Sequence, residues 1–69
     1  MTNSLKLKAR ILEKGFTFQK LAKEIGISYQ SMSYKINNKR EFNQTEIFNI
    51  CRILEIDENE RSAYFFVSE

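Results

Sequence analysis

Apolar residues recur along this chain at helical spacing, in five short runs broken by polar or glycine-containing turns. The first run predicts a helix from about Ser4 to Lys14, with Asn3 or Ser4 as its cap and Gly15 at its end. Its apolar stripe reads Leu5, Ala9, Leu12 and Phe16. The second predicts a helix over Phe18–Ile25, capped by Thr17 and closed by Gly26; Phe18, Leu21, Ala22 and Ile25 form its inner face. The third, over about Tyr29–Asn37 with Ser28 as cap, has only Met32 and Ile36 clearly meant for a core. The fourth covers Gln44–Leu54, opened by the capping-box-like pair Asn43 and Glu46. Ile47, Ile50, Cys51 and Leu54 are its core stripe, and Phe48 and Ile53 widen that stripe beyond one buried face. The fifth is short, from Glu58 to Phe65 or Phe66, with Asp57 and Glu60 repeating the capping pattern. The fold class is therefore all-α, with five helices in one 69-residue domain.

Composition narrows the chemistry. One cysteine and no histidine exclude an internal disulfide framework and a Cys/His zinc site. No Gly-rich phosphate loop or catalytic triad is present, so neither a metal, a cofactor nor an enzymatic activity is expected. Cys51 reads as a small buried hydrophobe, with no histidine to activate it. No apolar run is long enough for a membrane span and the first residues lack a signal core, so a cytoplasmic protein is expected.

Net charge is only +2, but it is unevenly placed. Residues 1–40 carry nine Lys/Arg and two acids, whereas residues 41–69 carry two Lys/Arg and seven acids. A polyanion would meet the first half and avoid the second. Solvated helix faces with chance asymmetry account for the same numbers.

The informative stretch is TFQKLAKEIGISYQSMSYKINNKR, residues 17–40. Two short helices flank a three-residue turn, Gly26-Ile27-Ser28. Ala22 allows close approach, Gly26 permits a positive φ, Ile27 plugs the corner and Ser28 caps the second helix near any phosphate. LAKEIGIS, followed by a polar helix and NNKR, resembles the Cro/C1-type helix-turn-helix domain of phage repressors and related bacterial regulators. The resemblance spans nearly the whole chain and implies a lambda-repressor-like five-helix fold.

It also implies roles. The third helix would lie in the major groove of a double-stranded DNA operator. Tyr29, Gln30, Ser33 and Tyr34 match base-reading positions, and Ser28, Asn37, Lys39 and Arg40 match backbone-contacting ones. The family often has Gln at the first position of the second helix; here Phe18 stands there, with Gln19 as the substitute phosphate contact. Some relatives pair an arginine and a glutamate where this chain has Ile11 and Ile36, an apolar contact that avoids desolvating charges. The loop NNKREFN lacks the common glycine, and the expectation is a Cro-type regulator without a further sensor domain. A nucleoid location in a bacterial host follows from the same resemblance.

Several assignments stay open. Tyr29 and Tyr34 also suit partly buried aromatics. Phe48, Ile53, Tyr64, Phe65 and Phe66 form either a lid on the core or the surface of a weak homodimer completed on DNA. A helix-turn-helix surface of this kind also suits an anti-repressor that binds a cognate repressor protein instead of DNA.

Overall fold

Asn3, Thr17, Ser28 and Asn43 each start a helix in the computed structural model, which describes residues 1–67. At each start the side-chain oxygen accepts from the backbone N–H three residues on, supplying a partner to one otherwise orphaned donor. The helices are α1 (Ser4–Glu13), α2 (Phe18–Ile25), α3 (Tyr29–Ile36), α4 (Gln44–Leu54) and α5 (Arg61–Phe65), the last preceded by a 3₁₀ turn at Glu58–Glu60. Among the described residues there is no strand, and no helix is long and apolar enough to cross a membrane.

The core gathers two side chains from each of α1, α2, α3 and α5 and four from α4. Leu7, Ile11, Leu21, Met32, Ile36, Ile50 and Leu54 are fully buried. Phe42, Tyr64 and Phe65 close one end, with the Phe42 and Phe65 rings edge-on, 5.6 Å apart at 87°. Ile56, just past α4, is also buried, and Cys51 fills space as a small hydrophobe. Burial pushes the Cys51 thiol above its ordinary value, offset in part by the neighbouring Arg61.

Helix α1 corrects the expected stripe. Leu5 and Leu12 are 80% and 75% exposed, Ala9 is exposed too, and Leu7 and Ile11 point inward instead. This helix carries two apolar stripes, and polar anchors decide between them. Arg10 donates from Nε to the Leu54 carbonyl at 3.0 Å and from its terminal nitrogen to the Glu55 carbonyl at 2.8 Å. Lys14 pairs with the Glu55 carboxylate at 2.7 Å. Two cations thus sit on the carbonyl end of α4, where the helix dipole favours them. The Ser4 hydroxyl donates to the Ile36 carbonyl at the other end of α1. Turning α1 to bury Leu5 and Leu12 would break all of these bonds.

The chain's second half differs from expectation in three smaller ways. The Asn43–Glu46 capping box is complete, but Asp57 makes no side-chain cap. The expected fifth helix divides into the 3₁₀ turn and α5, which ends at Phe65. Tyr64 and Phe65 belong to the core, and Ile53 packs partly against it, so the lid reading holds for those two aromatics. Phe48 and Phe66 remain 58% and 57% exposed.

Candidate nucleic-acid interface

Helices α2 and α3 meet through a turn built as its residues dictate. Gly26 sits at φ 82°, the left-handed region that side chains avoid. Its N–H donates to Lys23 and the Ile27 N–H donates to Ala22, which closes the carbonyl end of α2. Ile27 is half-buried against the core, and Ala22 is buried beneath it. Met32 and Ile36 then fix α3 by one face.

The opposite face of α3 is free. Tyr29, Gln30 and Tyr34 are exposed and Ser33 is half-exposed, all on one exposed side. Neither tyrosine belongs to the core; Tyr29 is 56% and Tyr34 38% exposed, so each combines partial packing with a solvent-facing edge. Gln30 and Tyr34 are bonded to each other: the Gln30 Nε2 donates to the Tyr34 hydroxyl at 3.1 Å. Ser28 is exposed at the start of α3, its hydroxyl accepting from the Ser31 N–H at 3.0 Å. Asn37 is exposed just past α3 and donates its amide to the Ser33 carbonyl at 3.0 Å. Lys39 and Arg40 are exposed in the following loop, and Gln19 is exposed in the first turn of α2. Phe18 packs partly against the core, so a hydrophobic role occupies the position where a phosphate contact was expected.

Charge at this surface is shaped by pairing. Lys35 is on α3 but turned away: its ammonium reaches both oxygens of Glu46, at 2.8 and 2.7 Å, with side chains only 14% and 10% exposed. Arg10 and Lys14 are likewise engaged with Glu13 and Glu55. The exposed cations of α2 and the loop after α3 are Lys20, Lys23, Lys39 and Arg40, against the exposed acids Glu24 and Glu41. The exposed side chains of α3 itself are therefore neutral hydrogen-bonding groups, with a net excess of exposed cations in α2 and the following loop.

The loop after α3 has an anchor that sequence reasoning missed. Asn38 takes φ 65°, the place of the absent glycine. Its side chain clasps Thr2, accepting from the Thr2 N–H at 2.8 Å and donating to the Thr2 carbonyl at 2.9 Å. Asparagine tolerates this backbone region better than most residues, so a second Asn following a helix was the available signal. The amino end is held further by the Asn3 N–H to the Tyr64 carbonyl, and by the Val67 N–H to the Met1 carbonyl.

A family model described as a protein of unknown function, DUF739, matches residues 3–68. The chain belongs to the DUF739 family. No curated protein matches it. In this DUF739 protein, the matched region includes every helix described above, so the α2–α3 unit and Asn38 lie within the family's span, while Thr2, the partner of Asn38, lies just before it. Among the described residues no group of three or more His, Cys, Asp or Glu is arranged to hold a metal ion.

Proposed function

We propose that this DUF739 protein is a sequence-specific DNA-binding transcriptional regulator, a Cro-like repressor that reads an operator's major groove with α3. The observation that carries this reading is the outward face of α3. It offers Tyr29, Gln30, Ser33 and Tyr34 on a helix fixed from behind by Met32 and Ile36. Hydrogen-bonding side chains on a rigid exposed helix are what base-edge readout requires. Ser28, Asn37, Lys39, Arg40 and Gln19 surround that strip and suit contacts to phosphates, which set register and salt dependence. The work would be done at the nucleoid, in a bacterial cytoplasm.

Occupying two half-sites favours pairing of two copies. Phe48 and Phe66, exposed beside Gln44, Ile47 and Arg61, are the residues left for a weak homodimer formed on DNA; Ile53 contributes its exposed part, and Tyr64 and Phe65 support the face from within. The second reading is an anti-repressor that covers a cognate repressor's DNA-binding surface. It is favoured by the neutralisation of Lys35, which leaves α3 with two exposed tyrosines and no free cation of its own.

Selection of bound duplexes from a random pool, by the purified protein at moderate salt, tests the choice. A consistent, two-fold symmetric site supports the regulator. Sequence-blind binding or none, with a stoichiometric complex to a repressor domain, supports the second reading. On a selected site, Gln30→Ala should lose about 1–3 kcal/mol of specific binding and spare non-specific binding. Lys39→Ala should weaken all sequences and reduce the salt slope by about one.

A further inference from the structure

Helix α1 is apolar on two opposite sides. Leu7 and Ile11 enter the core, and the bonds of Ser4, Arg10 and Lys14 hold that side inward. Leu5, Ala9 and Leu12 follow one another at i, i+4 and i+7 on the outward side, and all three are exposed. A single exposed leucine is ordinary on a protein surface. Two leucines aligned on one helix, with only an alanine between them, make a stripe that a second helix can cover. The small Ala9 side chain lets such a helix come close.

The borders of the stripe are charged. Lys8 stands beside both leucines, three residues after Leu5 and four before Leu12. On the other border are Lys6, three residues before Ala9, and Glu13, four after it. Lys6 stays exposed, with its ammonium 4.9 Å from the centre of the Tyr64 ring, and Glu13 already pairs with Arg10 at 3.2 Å. Each border therefore offers a lysine, and the one acid is occupied. A second copy of α1 fits badly. Laid antiparallel it sets Lys8 against Lys8, and laid parallel it sets Lys8 beside Lys6. The other exposed apolar pair of the chain, Phe48 and Phe66, has Arg61 beside it instead of an acid, so it does not complement the stripe either. The stripe exposes on the order of 300 Å², against roughly 800 Å² per partner in a stable interface, which makes the contact a transient one. We infer that the outward stripe of α1 docks an amphipathic helix of a second protein, one whose apolar stripe is bordered by acidic side chains. The stripe lies on a different helix from the DNA-facing residues proposed above, and neither reading needs the other.

The probes are two synthetic helical peptides with leucines at the same i, i+4 and i+7 spacing, one bordered by glutamates and the other by lysines. Each is titrated into isotope-labelled protein, and the amide shifts are followed by nuclear magnetic resonance. The glutamate peptide should bind saturably with a Kd on the order of 0.1 mM, moving the amides of Leu5, Ala9 and Leu12. At low salt it should bind at least about fivefold tighter than the lysine peptide. Leu12→Lys should weaken it by at least about tenfold with the thermal unfolding midpoint unchanged, and Lys8→Glu should remove the preference between the peptides. Equal binding of both peptides, shifts confined to Phe48 and Phe66, or no shift at millimolar peptide overturns the inference. So does movement of the same amides when the protein alone is concentrated, which would assign the stripe to a second copy. Binding to phosphatidylglycerol vesicles without binding to the glutamate peptide overturns it too, and would assign the stripe to a lipid surface. The DNA-reading function is scored separately, because Leu12→Lys should select the same duplexes as the wild type. Loss of that selection in Leu12→Lys would place the stripe on the DNA-facing surface and overturn the inference.

Discussion

Replacing Glu46 tests how α3 is held. Its carboxylate accepts from Lys35 at 2.8 and 2.7 Å and from the Asn43 N–H at 3.0 Å, joining the end of α3 to the start of α4. Removing one member of a buried pair costs about 3–5 kcal/mol, because the other charge stays desolvated. Lys35 keeps 14% exposure and a flexible stem, so its ammonium can reach water in part. That lowers the ionic loss to about 2–3 kcal/mol. Glu46→Ala also removes half of the capping box, a further loss of about 1 kcal/mol, for a total of about 3–4 kcal/mol. Glu46→Gln keeps an oxygen for the Asn43 N–H and should lose only the ionic part. Lys35→Met combined with Glu46→Gln should recover at least about 1 kcal/mol, since no unpaired ammonium remains. In a domain of this size a loss of about 3 kcal/mol lowers the melting midpoint by roughly 12–24 °C. Urea and thermal unfolding followed by far-ultraviolet circular dichroism read all four proteins. If Glu46→Gln lies within about 0.5 kcal/mol of wild type and the double variant recovers nothing, the pair behaves as a solvated surface contact. Met32 and Ile36 alone would then hold α3.

Three further outcomes are expected. Leu12→Lys should change stability by less than about 0.5 kcal/mol, whereas Leu7→Ala should lose about 2–5 kcal/mol in urea unfolding; a reversed order would return α1 to the stripe expected from its sequence. Asn38→Ala should lose about 2–3 kcal/mol, from left-handed strain and two lost bonds to Thr2, and Asn38→Gly should lose less; equal losses would show that the backbone strain contributes nothing. The Lys14 ammonium holds the Glu55 carboxyl below its ordinary 4.5, first through their hydrogen bond and then by charge. Stability from this contact is present above 4.5 and lost as pH falls through the depressed folded value. Lys14→Met should flatten that part of the acid limb in melting midpoints measured from about pH 5 down to about pH 2, and an unaltered limb would remove the contact from the account.

What the sequence made legible follows from how local each signal is. The starts of α2, α3 and α4 are set by a capping oxygen and an N–H three residues away, and each was readable at Thr17, Ser28 and Asn43. The left-handed end of α2 needed Gly26, and the glycine was there. In α1 the periodicity offered two answers. The choice was made by bonds from Arg10 to carbonyls 44 and 45 residues away, which no local pattern contains. The burial of Lys35 likewise depends on Glu46, eleven positions on and across a loop. Excess apolar residues near the end were split by geometry: α5 turns Tyr64 and Phe65 inward and leaves Phe66 out. At the candidate interface, the spacing marked the positions on α3, while the bond between Gln30 and Tyr34 needed side-chain placement to be seen.

The clasp between Asn38 and Thr2 has a dynamic consequence. Chain ends usually fray first, and local opening there is nearly free. In this protein the first residues are built into the loop that leaves α3, and the last described residue bonds to Met1. Opening at the first residues therefore releases the exit of α3, instead of remaining a peripheral event. Amide hydrogen exchange at Thr2, Lys39 and Val67 should be correlated, and all three should slow together when α3 is occupied.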